Sequence, residues 1–230
     1  MIVREAWAFR ARVEREAAFR FARLAEEISA FDPDSPVPAM MRKAAEDERR
    51  HLALCEELAG GPVEGIAGSD RIAPRSLGPR EAPLYETVAA CCITETESVA
   101  TVTSLLSEDA LPRVREVLHE IARDEVSHSR MGWAHLAREA GELEVGFLSR
   151  WLPSMLAGAA GSAVEPFEAE MDSPELLRHG VLPISRKRST FVHTLREVVF
   201  PGLEQFGIST DAARAWLSER SPAAGGAGLR

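Results

Sequence analysis

Two segments of the chain carry the same short pattern. Asp47-Glu48-Arg49-Arg50-His51 and Asp124-Glu125-Val126-Ser127-His128 each place a Glu three residues before a His, with an Asp directly before the Glu. On a helix, residues three apart share a face, so each pair can offer a carboxylate oxygen and an imidazole nitrogen to one metal centre. A single Glu-x-x-His arises by chance on many exposed helices, whereas two matched copies are a far more specific signal. The deciding question is which way the pairs face. At about 100° per residue, Glu48 and His51 share a stripe with Met41, Ala44, Ala45, Leu52 and Cys55, and Glu125 and His128 share one with Val114, Leu118, Ile121, Gly132 and Leu136. Both stripes are apolar, so both pairs are expected to point inward, where an ionisable group is costly unless it is paired or metal-bound.

The same test selects one acid from each of two further helices. Glu14 lies among Val3, Trp7, Ala17, Ala18, Phe21, Ala25 and Ile28, whereas Glu16 shares its face with Glu5, Arg12, Arg20, Arg23 and Glu27. Glu14 is expected inside and Glu16 outside. Glu95 lies among Val88, Cys91, Cys92, Ser98, Val99 and Val102, with Glu97 as a less central extra carboxylate. One Glu from each of two helices and a Glu-x-x-His from each of two others make up the donor set of di-iron and di-manganese carboxylate centres. Asp47 and Asp124 are then placed to orient the imidazole of the opposite helix.

The elements that must position these residues read as helices throughout. Three-and-four spacing of apolar residues, much Ala, Leu, Glu and Arg, and few β-branched runs leave no convincing strand. Pro, Gly and Asp punctuation predicts helices over about 3–30, 36–59, 82–107 and 112–141, with short loops inside each pair and a long Gly/Pro-rich connection over 60–80. Two hairpins joined by one long connection predict a four-helix bundle with a crossover between helices 2 and 3. Glu95 lies 13 residues before Glu108 and Glu125 13 after Pro112, which puts both about 20 Å from their shared loop. In the first hairpin Glu14 and Glu48 differ by about 4.5 Å in level by the same rise. We divide the chain into a bundle (1–141), a helical C-terminal extension packed on it (142–220) and a disordered tail (221–230). Within the extension, helices are expected over 144–164, 174–179 and 183–206, and a last one capped by Ser209 or Thr210.

These residues resemble the ferritin-like superfamily of rubrerythrins and carboxylate-bridged oxidases and oxygenases, and especially uncharacterised bacterial ferritin-like domain proteins. The resemblance is carried by Glu14 with Phe21-Ala22-Arg23, by Asp47 to His51, by Cys92-Ile93-Thr94-Glu95-Thr96, and by Ile121-Ala122-Arg123-Asp124-Glu125 to His128. It covers residues 13–136, with a looser echo at His179-Gly180-Val181-Leu182, and departs at Arg15, where His is common, and at the extra acid Glu97. It implies two Fe, two Mn or one of each per chain. Glu48 and Glu125 would bridge, Glu14 and His51 would complete one site, and Glu95 and His128 the other. The implied activity is an oxidoreductase that reacts with dioxygen or peroxide, its small-molecule substrate or electron donor unspecified. The alternatives are a non-cage iron-sequestering protein with ferroxidase activity and a metal-stapled scaffold without catalysis.

Charge narrows the partners further. Thirty-six acidic against 27 basic side chains give −9, which argues against a nucleic-acid or anionic-membrane partner. The longest uncharged run, 151–164, is short for a span of about 20 residues, and the first residues are charged from Arg4 onward. Cys55, Cys91 and Cys92 form no Cys-x-x-Cys, which suits a reducing compartment. A cytoplasmic monomer or small homo-oligomer is the expectation.

Overall fold

The computed structural model describes residues 1–65, 71–160 and 169–220, and every regular element among them is helical. Helix α1 runs over Ile2–Phe31 and α2 over Val37–Ala59. Asp32 ends α1 because the residue before a proline is disfavoured in helical geometry, although its N–H still donates to the Ile28 carbonyl at 2.9 Å. Gly60 ends α2 at φ +86°, with the Gly61 N–H donating to Glu56 O at 2.9 Å and the Gly60 N–H to Glu57 O at 3.1 Å. That left-handed residue is why the position is glycine.

After the connection comes α3, residues 81–106. It is α-helical over Glu81–Thr87, π-helical over Val88–Glu95 and α-helical again over Thr96–Leu106. Thr94 and Thr96 hydroxyls donate to carbonyls five residues back, Ala89 O at 3.0 Å and Cys91 O at 3.4 Å. Helix α4, Pro112–Glu139, opens on a proline whose missing N–H costs nothing at a first position. Helix α1 packs along α2, α3 along α4, and α2 also meets α4. One apolar cluster combines Phe21, Leu24, Ile28, Met41, Cys91 and Met131, so all four helices share it. At Gly132 α3 and α4 approach closely: a Cβ there would stand 2.3 Å from Cys91 Cβ and 3.1 Å from the Cys92 nitrogen.

The C-terminal segment departs from expectation in detail. The sequence predicts one helix over residues 144–164, but Val145–Trp151 is a 3₁₀ stretch, and α5 begins at Leu152, described over Leu152–Ala160. Pro174–His179 is likewise a 3₁₀ turn rather than an α-helix. Helix α6, residues 184–204, contains a second π stretch at Leu195–Val199 and stops short of Phe206, and α7 is Asp211–Arg220. The end of the expected 144–164 helix and the tail 221–230 lie outside the described residues. Leu148, Leu152, Phe191, Leu195, Phe200 and Leu203 join Leu84, Tyr85, Val88, Cys92 and Leu136 in one cluster, so this segment covers the far side of α3. As a result residues 82–93 are buried on every face. Among the described residues no helix is long and apolar enough to cross a membrane.

Candidate metal centre

All four long helices supply the centre. Glu14 comes from α1, Glu48 and His51 from α2, Glu95 from the end of the π stretch in α3, and Glu125 and His128 from α4. All six side chains are buried, the most exposed being Glu95 at 7%. They form two overlapping groups, Glu48/Glu95/Glu125/His128 and Glu14/His51/Glu125, in each of which one potential ligand atom per residue lies within 4.8 Å of all the others. Glu125 belongs to both groups.

The outer nitrogens of the two imidazoles face aspartates of the opposite helix. His51 Nε2 lies 3.2 Å from Asp124 Oδ2, within hydrogen-bond distance, whereas His128 Nε2 lies 3.6 Å from Asp47 Oδ2 and has no hydrogen-bond partner among the described residues. Arg50 ties the two aspartates together, bonding to Asp47 Oδ1 at 2.9 Å and to Asp124, while Lys43 also pairs with Asp47. Both Nδ1 atoms then face the carboxylates: His51 Nδ1 is 3.2 Å from Glu48 Oε2, and His128 Nδ1 is 2.9 Å from Glu48 Oε1 and 3.4 Å from Glu125 Oε2. The contacts of His128 are close but not aligned as hydrogen bonds, and Glu48 Oε1, Glu125 Oε2 and His128 Nδ1 have no hydrogen-bond partner among the described residues. Buried polar atoms left in this state are rare and call for an explanation.

Electrostatics show the same crowding. Burial, and then the neighbouring Glu48 charge, push the Glu14 carboxyl well above its ordinary range; burial, followed by Glu125 and Glu48, does the same to Glu95. Burial also opposes ionisation of Glu48 and Glu125, but there the imidazoles outweigh it and both carboxylates are held low. His128, despite burial, is raised to about 10 by Glu125 and Glu48. Four acids and two imidazoles thus share too few protons and counter-charges, the condition that a bound divalent cation relieves.

Arg10 and Cys55 also border the centre, and Arg10 is the neighbour that the search for ligand types misses. Arg10 Nε donates to Glu14 Oε1 at 2.8 Å, and its Nη2 reaches Ser98 Oγ at 3.2 Å and Glu125 Oε1 at 3.4 Å; Ser98 Oγ itself donates to Glu125 Oε1 at 2.9 Å. Arg10 lies four residues before Glu14, so the facing test already contained the signal. Cys55, on the stripe of Glu48 and His51, has its sulfur 4.0 Å from Glu14 Oε1. Glu97 is not brought to the centre: it is half-buried and accepts from Thr101 Oγ1 at 2.8 Å. Glu16 is exposed.

With this geometry in view, we compared the chain with known proteins. No family model, curated protein or solved structure matches it. The reading of the centre therefore rests on its chemistry. Buried Glu and His groups that could hold a metal ion are present, and the unpartnered inward atoms fit a cation with oxygen and nitrogen ligands.

Proposed function

We propose that the chain is a ferritin-like four-helix bundle enzyme that holds two iron ions, two manganese ions or one of each, and reacts with dioxygen or peroxide. The observation that carries this reading is the pair of buried ligand groups sharing Glu125, with Glu48 Oε1, Glu125 Oε2 and His128 Nδ1 facing inward without partners. Carboxylates with two imidazoles suit Fe(II) and Mn(II) better than the tetrahedral sulfur-rich set of structural zinc. When bound, such a pair supplies redox equivalents for oxidation of a substrate by dioxygen or peroxide.

The chain's own residues have defined tasks in this reading. Glu48, Glu95, Glu125 and His128 hold one ion, and Glu14, His51 and Glu125 the other. Asp124 would fix His51 with its Nε2 proton outward and its Nδ1 lone pair inward, and Asp47, 3.6 Å from His128 Nε2, is placed to favour the same orientation there. The buried Phe21 ring, its centroid 5.9 Å from that of His128, would limit water beside this ligand.

Anaerobic reconstitution with Fe(II), elemental analysis and then exposure to O₂ test the proposal. We expect about two irons per chain, from six ligands in this arrangement, and a limited O₂ uptake that stops until a reductant or substrate is added. Continuing uptake with iron accumulating far beyond the six-ligand centre would favour the sequestering protein. Loaded protein inert to O₂ but more heat-stable would favour the stapled scaffold.

A further inference from the structure

The two halves of the centre differ in one respect that their ligand types do not reveal. In the Glu48/Glu95/Glu125/His128 half, the atoms Glu48 Oε1, Glu125 Oε2 and His128 Nδ1 have no hydrogen-bond partner among the described residues. In the Glu14/His51/Glu125 half, a guanidinium is already in place: Arg10 donates to Glu14 Oε1 at 2.8 Å and to Glu125 Oε1 at 3.4 Å, steadied by Ser98 Oγ at 3.2 Å. The Arg10 side chain is 20% exposed, so part of it reaches solvent while its guanidinium holds Glu14 and Glu125. Its long stem can carry the charged head outward without moving the helix.

We propose that Arg10 is a resident cation in the Glu14/His51/Glu125 half, so that the two halves load in order. The first divalent ion enters the half whose unpartnered atoms Glu48 Oε1, Glu125 Oε2 and His128 Nδ1 are not held by the guanidinium. The second must displace Arg10 from Glu14 and Glu125, and therefore binds more weakly. Until then Arg10 neutralises part of the carboxylate cluster and keeps Glu14 aimed inward, and its exposed edge marks the side from which the second ion arrives. The inference rests on the reading of this cluster as a metal centre, and it assigns Arg10 a positioning role that controls occupancy.

A Mn(II) titration followed by the EPR signal of the unbound ion tests this without any activity assay. Wild-type protein is expected to bind one ion tightly and a second at least about tenfold more weakly, since like charges a few ångströms apart in a partly buried site repel strongly. Arg10→Met should tighten the second step by at least about tenfold, by the same Coulomb argument, and leave the first nearly unchanged. Arg10→Lys keeps a cation and should retain the gap between the steps. Glu14→Ala should keep the tight ion alone. Far-UV circular dichroism monitors folding of each variant, and if Arg10→Met does not fold, the wild-type and Arg10→Lys titrations still decide. Two steps of equal affinity in wild-type protein, or a gap that persists unchanged in folded Arg10→Met, would overturn the ordered loading while leaving the metal centre standing. No Mn(II) bound by any form would overturn both.

Discussion

Buried glutamates occur in two regions of this molecule and are treated in opposite ways. Toward the end that carries the α1–α2 loop, each has an arginine of its own. Glu86, fully buried, accepts from Arg23 Nη2 at 2.5 Å, and Glu139, also fully buried, accepts from Arg80 Nε at 2.7 Å and Nη2 at 3.3 Å. In the middle of the four helices, Glu14, Glu48, Glu95 and Glu125 face one another with a single guanidinium, Arg10, at one edge. Pairing one acid with one base fixes a structure and leaves nothing to bind. Acids gathered without matching bases leave a site whose missing charge must come from outside. Burial alone therefore does not separate ligand from strut; the separation lies in who neutralises the carboxylate.

The largest effects should come from breaking the two central carboxylates. Glu48→Ala and Glu125→Ala are each expected to abolish the metal pair, read as the fall in bound Fe(II) or Mn(II) per chain by elemental analysis, because Glu48 approaches both imidazoles and Glu125 belongs to both groups. Full occupancy in either variant would sink the dinuclear arrangement. At the paired end, Arg23→Met should leave metal content alone but cost about 2–4 kcal/mol of stability, since breaking a buried pair strands a charge; Arg23 is partly exposed, which moderates the loss. Glu95→Gln should do the reverse, weakening metal binding while the metal-free protein becomes no less stable in urea melts. Were both variants to lose stability alike without changing metal content, the contrast between the two regions would not hold.

The pH dependence sharpens the same contrast. Glu14 and Glu95 have folded-state pKa values raised above the unfolded ones, so the penalty of ionising them is relieved as pH falls. His128, raised to about 10, contributes stability that is fully present below its unfolded value of about 6.5 and is lost as pH rises through the folded value. Both signs agree: the thermal midpoint of metal-free protein should rise as pH is lowered from 10 to about 7, the window between these two pKa values. Below about 6.5, His135 works the other way, because burial holds it down to about 4. Bound metal competes with protons for the same ligands, so the gain in midpoint on adding Mn(II) should grow with pH. A gain that shrinks toward high pH would count against the clustered carboxylates as ligands.

Much of this was legible because helices α1, α2 and α4 keep one phase over long stretches. Glu14 against Glu16, and the two Glu-x-x-His pairs, could be assigned to faces from apolar neighbours alone. The Asp47 and Asp124 exchange was legible too, since each Asp directly precedes a Glu whose direction was known. The phase argument loses its footing on α3. Residues 82–93 are buried all round because the C-terminal segment covers the side that an isolated bundle would expose, so apolar neighbours no longer mark one face. Over Val88–Glu95 the helix is also wound more loosely than the assumed turn, and nothing in Val-Ala-Ala-Cys-Cys-Ile-Thr-Glu announces it. Arg10 was passed over for a different reason. A search for ligand types ignores cations, although Arg10 stands at the same four-residue spacing from Glu14 that was used to choose its apolar neighbours.

The smallest expected effect tests whether that loosened turn aims one acid and spares its neighbour. Glu95 and Glu97 are two residues apart and so diverge round the helix axis by about 200° in regular α geometry. Glu95 closes the π stretch and faces Glu48, Glu125 and His128, while Glu97 begins the next α turns, half-buried and bound to Thr101 Oγ1 at 2.8 Å. Its hydroxyl partner is local and its carboxylate belongs to neither ligand group. Glu97→Gln keeps an acceptor for that hydroxyl, so metal content should be unchanged and stability should move by less than about 0.5 kcal/mol, the usual range for substitutions away from a buried network. Glu95→Gln, with the same change of chemistry two residues earlier, should lose metal. If Glu97→Gln empties the centre and Glu95→Gln does not, the register of α3 past its π stretch is wrong, and the acid that completes the Glu48/Glu125/His128 group is Glu97.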